Sequence, residues 1–514
     1  MINYWADEIA AKILERQGDK KPIALETGIT PSGPYHIGHL REMVITDTVR
    51  RALEKQGAKT RLIYFIDDLD NLRKLYPFLP KEFEKYIHHP ICQIPALDGS
   101  SASYADYFLN PFLRSLEKLG IEVEKIYAHE FYESGKMTEV VSTALEKKDK
   151  IAEIITRVSG RQLPEDWQPF EPLDETCGRI RGAQILEVDT KNTRVKYVAS
   201  DGSEKWADYS KGQGKLPWRI DWPARWALLD VAFEPFGKEH AASGGSYDVG
   251  KEIVEKIYGK KAPEYEIYEH IYLAGESKKM SASLGNLIDI KDFLEVVPPE
   301  VARYFVLRSK NNRHLVFDPG RGFISLADEY ANLEKLYYDK QLTGPQKPVI
   351  EYSQVSKNRS TVDVPFGHLV MVYQAAQGDL GEIKRLLKHT GHVAAIENDE
   401  SLRVQVERVK NWLKKYAPEE YKFTVLKEAP KIDIDEEQKR VLSSVKKAVE
   451  EGKTGIDLHN AIYEAGKSEG LNPRDTFKII YQIFIGRDSG PKAGFFLSML
   501  DKDFVLERLN YYLS

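Results

Sequence analysis

Two histidines three residues apart, His36 and His39, follow a Thr-Pro-Ser-Gly turn in the stretch 26–41, ETGITPSGPYHIGHLR. The turn leads from an apolar run, Ile23-Ala24-Leu25, into a segment with helical character. Both imidazoles are thereby delivered to a helix N-terminus, where unpaired N–H groups and the positive end of the dipole suit a phosphate. At this spacing the two rings share one helical face and can reach one phosphoryl group. Far downstream, Lys279-Met280-Ser281-Ala282-Ser283 and then Gly285-Asn286 lie in a Gly- and Ser-rich loop, GESKKMSASLGN. A lysine and two hydroxyls on such a loop can neutralise and hydrogen-bond phosphate oxygens, and loop closure shields the reaction from water. An isolated HxGH is as readily a strand–turn–helix connection with two exposed histidines; the two constellations together, in this order, point to phosphoryl chemistry.

At 514 residues the chain is too long for one hydrophobic core, and two to four domains are expected. Its 42% apolar and 30% charged residues fit an ordinary soluble protein. Two cysteines, Cys92 and Cys177, cannot supply a disulfide framework and fit a reducing compartment. The first residues carry Asp7, Glu8 and Glu15 on an amphipathic pattern, without the basic start and apolar centre of a signal peptide. No apolar run approaches the length of a membrane span. A cytoplasmic protein with no membrane attachment is expected, and a monomer is favoured. A net charge of −5 argues against indiscriminate nucleic-acid binding but leaves room for a local basic face.

The elements that must position the chemistry follow from periodicity. Residues 22–29 predict a buried strand, 37–56 a helix stopped by Gly57, and 62–66 a second strand ending on Asp67-Asp68. This strand–helix–strand spacing is a βαβ unit, which predicts a parallel sheet with ligands at the carboxyl ends of its strands. Helical patterns over 110–119 and 136–158, a strand over 121–128 and short β-like pieces over 177–209 read as an insertion. The sheet pattern returns with Trp218, a short helix over 224–229 and strands over 231–233 and 266–273. The last third is helical in pattern: Val441, Leu442, Val445, Ala448 and Val449 line one face, and Asn472-Pro473 opens a further helix. Residues 347–361 read as a surface loop. The Gly245…Gly250-Lys251 spacing imitates a P-loop, but Glu252 stands where a magnesium-binding hydroxyl belongs.

HIGH at 36–39 and KMSAS at 279–283 resemble the two signatures of class I aminoacyl-tRNA synthetases. The segments ETGITPSG, KLPWRIDWPARWALL and FEPFGKEHAASGGSYD resemble, more narrowly, the class I lysyl-tRNA synthetase family, and the likeness covers essentially the whole chain. It implies a Rossmann-like α/β catalytic domain with a parallel sheet, an inserted α+β domain and an all-α C-terminal anticodon-binding domain. The expected boundaries are 1–95 and 216–310 for the halves of the catalytic domain, 96–215 for the insertion and 311–514 for the helical domain. The implied activity is ATP-dependent activation of L-lysine and transfer to the terminal 2′-hydroxyl of tRNA(Lys), with Mg²⁺ accompanying ATP. The alternatives are a synthetase of the same fold for another amino acid and a non-catalytic tRNA-binding paralogue.

By this resemblance His36, His39, Lys279, Ser281 and Ser283 are catalytic. ATP would be held by them together with Pro31, Gly33, Gly38, Gly237, Asp248, Lys278 and Met280; Lys278 is the substitute for the family's second loop lysine, which is Ala282 here. Gly28, Thr30, Trp218, His240 and Tyr268 would contact lysine. An acidic group must balance the lysine ammonium. Glu26 takes the place of the arginine that meets the anionic substrate in the glutamate enzymes, and it is one option; Asp67 is the other. His88, His89 and Cys92 form one remnant of a metal cluster and Cys177-Gly178 another, neither with four ligands at zinc spacing, so no metal ligand is assigned and no structural zinc is expected. Arg474, Lys478, Arg487 and Lys492, among aromatic neighbours, are the residues expected to touch tRNA.

Overall fold

The computed structural model describes residues 4–17, 21–180, 182–276, 280, 287–356, 359 and 363–514. Two compact units emerge. The first comprises Met1–Leu294, Pro299–Val316 and Leu342–Val355; the second comprises Glu295–Pro298, Phe317–Gln341 and Ser356–Ser514. No helix among the described residues is long and apolar enough to cross a membrane.

In the first unit, helix α1 (Trp5–Gln17) precedes strand β1 (Ile23–Ile29), helix α2 (Ile37–Lys55) and strand β2 (Thr60–Ile66). Helix α3 (Tyr104–Lys118) leads to β3 (Glu124–Tyr127), which is followed by α4 (Ala128–Glu133), α5 (Thr138–Glu146) and α6 (Lys148–Ser159). Six short strands come next: β4 (Glu171–Asp174), β5 (Arg179–Ile180), β6 (Ile185–Asp189), β7 (Arg194–Val198), β8 (Glu204–Asp208) and β9 (Gly214–Lys215). They form two antiparallel sheets, β5-β4-β9 and β6-β7-β8. Helix α7 (Trp218–Leu229), strand β10 (Val231–Gly237), helix α8 (Ser246–Lys256) and strand β11 (Glu264–Tyr268) complete the main framework.

The main sheet has the order β11-β10-β1-β2-β3, with every pair parallel. From β1 the chain steps outward through β2 to β3, then returns to the other side of β1 for β10 and β11. The switch point therefore lies between β1 and β10, where the crossovers part and leave a crevice at the carboxyl ends. Both central strands are nearly continuous apolar runs, as burial on two faces requires. Each is interrupted by one buried acid, Glu26 or Glu234.

Four sequence expectations change. The strand near 124 joins the main sheet beside β2, so α3 and β3 belong to the sheet and not to an insertion over 96–215. The helical run over 136–158 is two helices, broken at Lys147, where neither Gly nor Pro marks the break. The strand over 266–273 is split: β11 stays in the main sheet, whereas Ile271–Leu273 pairs in a two-stranded sheet. Residues Gln346–Ser353 are helical, because Val349, Ile350 and Tyr352 bury one face that composition alone concealed.

The second unit is built of helices. Glu436–Glu450 buries the five apolar residues expected of it and begins with a reciprocal capping box between Asp435 and Gln438. Asn472 caps Pro473–Ile485 by accepting the Asp475 N–H at 3.0 Å, and Gly486 ends that helix in the left-handed region.

Candidate active site

The turn between β1 and α2 sets two imidazoles by backbone bonds. His36 is the N-cap of α2: its Nδ1 accepts the Gly38 N–H at 3.0 Å, while His39 Nδ1 accepts the His36 N–H at 3.1 Å. This is a capping box with two histidines in the roles usually taken by hydroxyl and carboxylate. An acceptor Nδ1 on a neutral ring requires the proton on Nε2, so both rings are fixed as Nε2–H tautomers. Burial pushes His39 down to about 4, which keeps it neutral near pH 7. The ring centroids are 4.1 Å apart. Tyr35 stacks on Phe112 of α3 and shares a 2.7 Å hydrogen bond with the Tyr64 hydroxyl, giving His39 a rigid edge to lie against. Gly38 is required for this closeness: a Cβ there would meet His36 Cε1 at 2.6 Å.

These residues line a cavity of about 570 Å³ at the switch point, a size suited to a small-molecule ligand. Thr30, Gly33, His36, Gly38 and His39 form one side, and Gly237, Glu239, His240, Tyr268 and Met280 the other. The segment that follows the KMSAS loop is pinned to the histidine turn, with Ile37 N–H to Ile288 O at 3.2 Å and Ile290 N–H to Tyr35 O at 3.1 Å. Gly237 closes β10 where a Cβ would strike the Glu239 carboxylate.

Behind this wall lies a buried charge network. Lys215 donates to Asp67 at 3.1 Å and to Asp70 at 2.6 Å, and Asp70 also accepts from the Thr30 hydroxyl at 3.1 Å. Arg225 of α7 is 3.5 Å from Glu26, 3.4 Å from Asp221 and 3.8 Å from Asp67. Glu234 accepts indole N–H bonds from Trp222 and Trp226. Five carboxyl groups thus face two cations. Burial opposes charge on Lys215, yet Asp67 and Asp70 hold its ammonium protonated. Burial likewise opposes charge on Arg225, and Asp221 and Glu26 more than offset it. Burial drives the Glu26 carboxyl well above its ordinary range, helped by Glu234 and opposed by Arg225; both Glu26 oxygens lack a hydrogen-bond partner.

A further acid, Glu42, accepts from Thr27 Oγ1 and from the Tyr268 hydroxyl, directly behind a ring that lines the cavity. Burial raises it to about 7, with those two hydrogen bonds pulling the other way. Sequence reasoning passed it over. The available signal was its position three residues after His39, hence on the same face of α2.

Of the residues expected to hold lysine, Thr30, His240 and Tyr268 line the cavity. Gly28 lies under Arg225, and Trp218 stacks on Trp222 with its ring 5.2 Å from that of His240. Glu26 and Asp67 are not among the residues that line the cavity: both are buried against Arg225, and Asp67 also binds Lys215. Of the expected ATP residues, Gly33, Gly237 and Met280 line the cavity, whereas Pro31 is buried beside it. Asp248 is exposed and accepts the Gly244 N–H at 2.9 Å, so it fixes the turn before α8. Lys278, Lys279, Ser281, Ala282 and Ser283 lie outside the described residues.

In the helical unit Lys478 is paired with Asp488 at 3.1 Å, and Arg487 donates to the carbonyls of Glu419 and Lys422. Arg474 and Lys492 are exposed.

A parallel α/β sheet with a HIGH turn capping the helix at its switch point is the nucleotide-binding arrangement of a class I aminoacyl-tRNA synthetase. The family described as tRNA synthetases class I (K) matches residues 3–356, and the chain belongs to that family. It is similar to lysine--tRNA ligase 1 of Methanosarcina acetivorans, at 41% identity over 98% of this chain and 97% of the other. The lysine--tRNA ligases of Archaeoglobus fulgidus and Thermoplasma acidophilum are 39% and 38% identical, each over 98% of this chain and 99% and 98% of theirs.

Proposed function

We propose that the chain is a lysine--tRNA ligase that activates L-lysine with ATP and transfers it to the 3′-terminal adenosine of tRNA(Lys). The observation that carries the reading is that the imidazoles of His36 and His39 line one cavity with Tyr268, whose hydroxyl donates to the buried Glu42. In the first step a lysine carboxylate oxygen attacks the α-phosphorus of ATP in line, and the bond to diphosphate breaks. Charge grows on phosphoryl oxygens, so catalysis rests on positioned donors and not on a covalent intermediate. The Nε2–H groups of His36 and His39 donate to those oxygens, and the N-terminus of α2 adds its dipole. Gly33, Gly38 and Gly237 keep the walls close to the nucleotide. Lys279, Ser281 and Ser283 are the KMSAS residues that serve the diphosphate, and Lys278 is the second cation in place of Ala282. Mg²⁺, when bound with ATP, neutralises phosphate charge.

The lysine side chain extends between Thr30, His240 and Tyr268. Its ammonium is accepted by Glu42 at the Tyr268 edge of the wall, because Tyr268 lines the cavity whereas Glu26 and Asp67 do not. In the second step the terminal ribose hydroxyl attacks the aminoacyl carbonyl and AMP leaves. Arg474 and Lys492, both exposed, meet tRNA phosphates. The test is lysine-dependent ATP–diphosphate exchange, run with and without tRNA; exchange with lysine and not with arginine or glutamate is expected, and none in either condition refutes the assignment.

A further inference from the structure

The expectation that no metal is held rested on His88, His89, Cys92 and Cys177. The fold brings Cys92 together with a different pair of side chains. Asp68, Cys92 and His129 offer a carboxylate oxygen, a thiol sulfur and a ring nitrogen that all lie within 4.8 Å of one another. We propose that these three residues bind one divalent transition-metal ion of the zinc type, which clamps the base of segment 69–91 to the start of α4.

The donors come from three places that the sheet brings together. Asp68 follows the end of β2, His129 begins α4 beyond β3, and Cys92 ends a segment that folds back on the first. That return is stitched by Cys92 N–H to Asp68 O at 3.0 Å, Ile91 N–H to Asp70 O at 2.9 Å and Leu72 N–H to His89 O at 2.9 Å. Asp68 accepts the His129 backbone N–H at 3.1 Å and also bonds the ring Nδ1, so two of the donors are held in register before any ion arrives.

Chemistry favours a zinc-type ion over a hard one. A thiolate, an imidazole and a carboxylate form the mixed S, N and O set that a borderline-soft ion takes, whereas Mg²⁺ and Ca²⁺ prefer oxygen alone. One thiolate and one carboxylate balance a divalent charge, and the thiol proton passes to solvent on binding. Three protein ligands leave the fourth position of a tetrahedron to water. The His129 side chain is 29% exposed and Asp68 only 2%, so the ion has an entry on one side and a closed back on the other.

A Cys-His-Asp relay is the competing reading of the same three residues. In a relay the carboxylate and the sulfur flank opposite edges of the imidazole. Here one carboxylate oxygen, the sulfur and one ring nitrogen all lie within 4.8 Å of one another instead. Cys177, the other cysteine, donates its thiol to Asp174 at 3.3 Å and belongs to a separate cluster. The clamped segment carries Tyr76 and Phe78, which line the cavity, so the ion would steady one wall of that site.

The full chain, stripped with a chelator, is titrated with Co²⁺ and followed for thiolate-to-cobalt charge transfer in the near ultraviolet. One equivalent should give the band together with tetrahedral d–d absorption. Cys92→Ser should abolish the charge-transfer band and Cys177→Ser should leave it. No band in the wild-type chain, or a band that survives Cys92→Ser, overturns the proposal. A second measurement needs no variant: one equivalent of Zn²⁺ should slow alkylation of Cys92 relative to Cys177, read by mass spectrometry of the peptides. Equal rates with and without Zn²⁺ would count against the site.

Discussion

The histidine turn and the buried charge network behind the cavity are built on opposite plans. The histidine turn is electrically quiet: two neutral rings, each fixed by a backbone bond to a residue no more than three positions away. The acid wall is a balance of buried charges drawn from β1, the end of β2, β9, α7 and β10, with Lys215 bonded to Asp67 across 148 residues of sequence. A phosphate needs oriented donors that are already desolvated, and neutral imidazoles at a helix N-terminus supply them without a counter-charge. An ammonium needs negative charge, and burying carboxylates is possible only where cations or N–H groups offset most of the desolvation cost. The difference is between a device made by local geometry and one that exists only when the whole sheet has formed.

Breaking the long-range plan should have the largest effect on folding. Arg225→Met leaves Glu26, Asp67 and Asp221 without their shared cation, so a loss of about 3–5 kcal/mol in urea unfolding is expected. Breaking the local plan should spare stability and strike chemistry. His39→Asn should lower kcat for exchange about 10²–10³-fold, the usual cost of one transition-state donor, with lysine KM nearly unchanged. Glu42→Gln should do the converse, raising lysine KM by about 10–100-fold, the scale of a buried charged hydrogen bond, while ATP KM stays near its wild-type value. Gly38→Ala is the mildest: the added Cβ displaces the His36 ring and weakens the cap by about 1 kcal/mol, visible as a small fall in thermal midpoint.

The contrast in construction is also a contrast in legibility. HIGH, the helix after it and the strand before it could be read from the sequence because the apolar periodicity and the cap that mark them are local, although β10 and Ile288 also hold them from far along the chain. The same holds for the Asn472 cap and the buried face of Glu436–Glu450. Glu26 is legible as an acid just before the turn, but its burial against Arg225 is not, since no periodicity announces that α7 lays an arginine against β1. β3 was visible as a strand, yet its place beside β2 is a matter of sheet order, which local pattern does not carry. The convergence of Asp68, Cys92 and His129 was hidden for the same reason, since each is unremarkable in its own neighbourhood.

His39 and Glu42, both on α2, respond to pH in opposite directions. His39 is lowered to about 4 while an unfolded histidine titrates near 6.5, so the unfolded chain binds the proton first and stability is lost as pH falls from about 6.5 towards 4. Glu42 is raised to about 7, so its contribution is complete below an unfolded glutamate's value of about 4.3 and is lost as pH rises through about 7. Its binding role runs the other way, because only the ionised carboxylate attracts an ammonium. The most direct test is therefore lysine KM in the exchange reaction as a function of pH, for the wild type and for Glu42→Gln. The wild type should bind lysine more weakly as pH falls through about 7, and the variant should show a raised KM that no longer depends on pH in that range. A variant that kept both the wild-type KM and its pH dependence would contradict the assignment of Glu42 as the acceptor of the lysine ammonium.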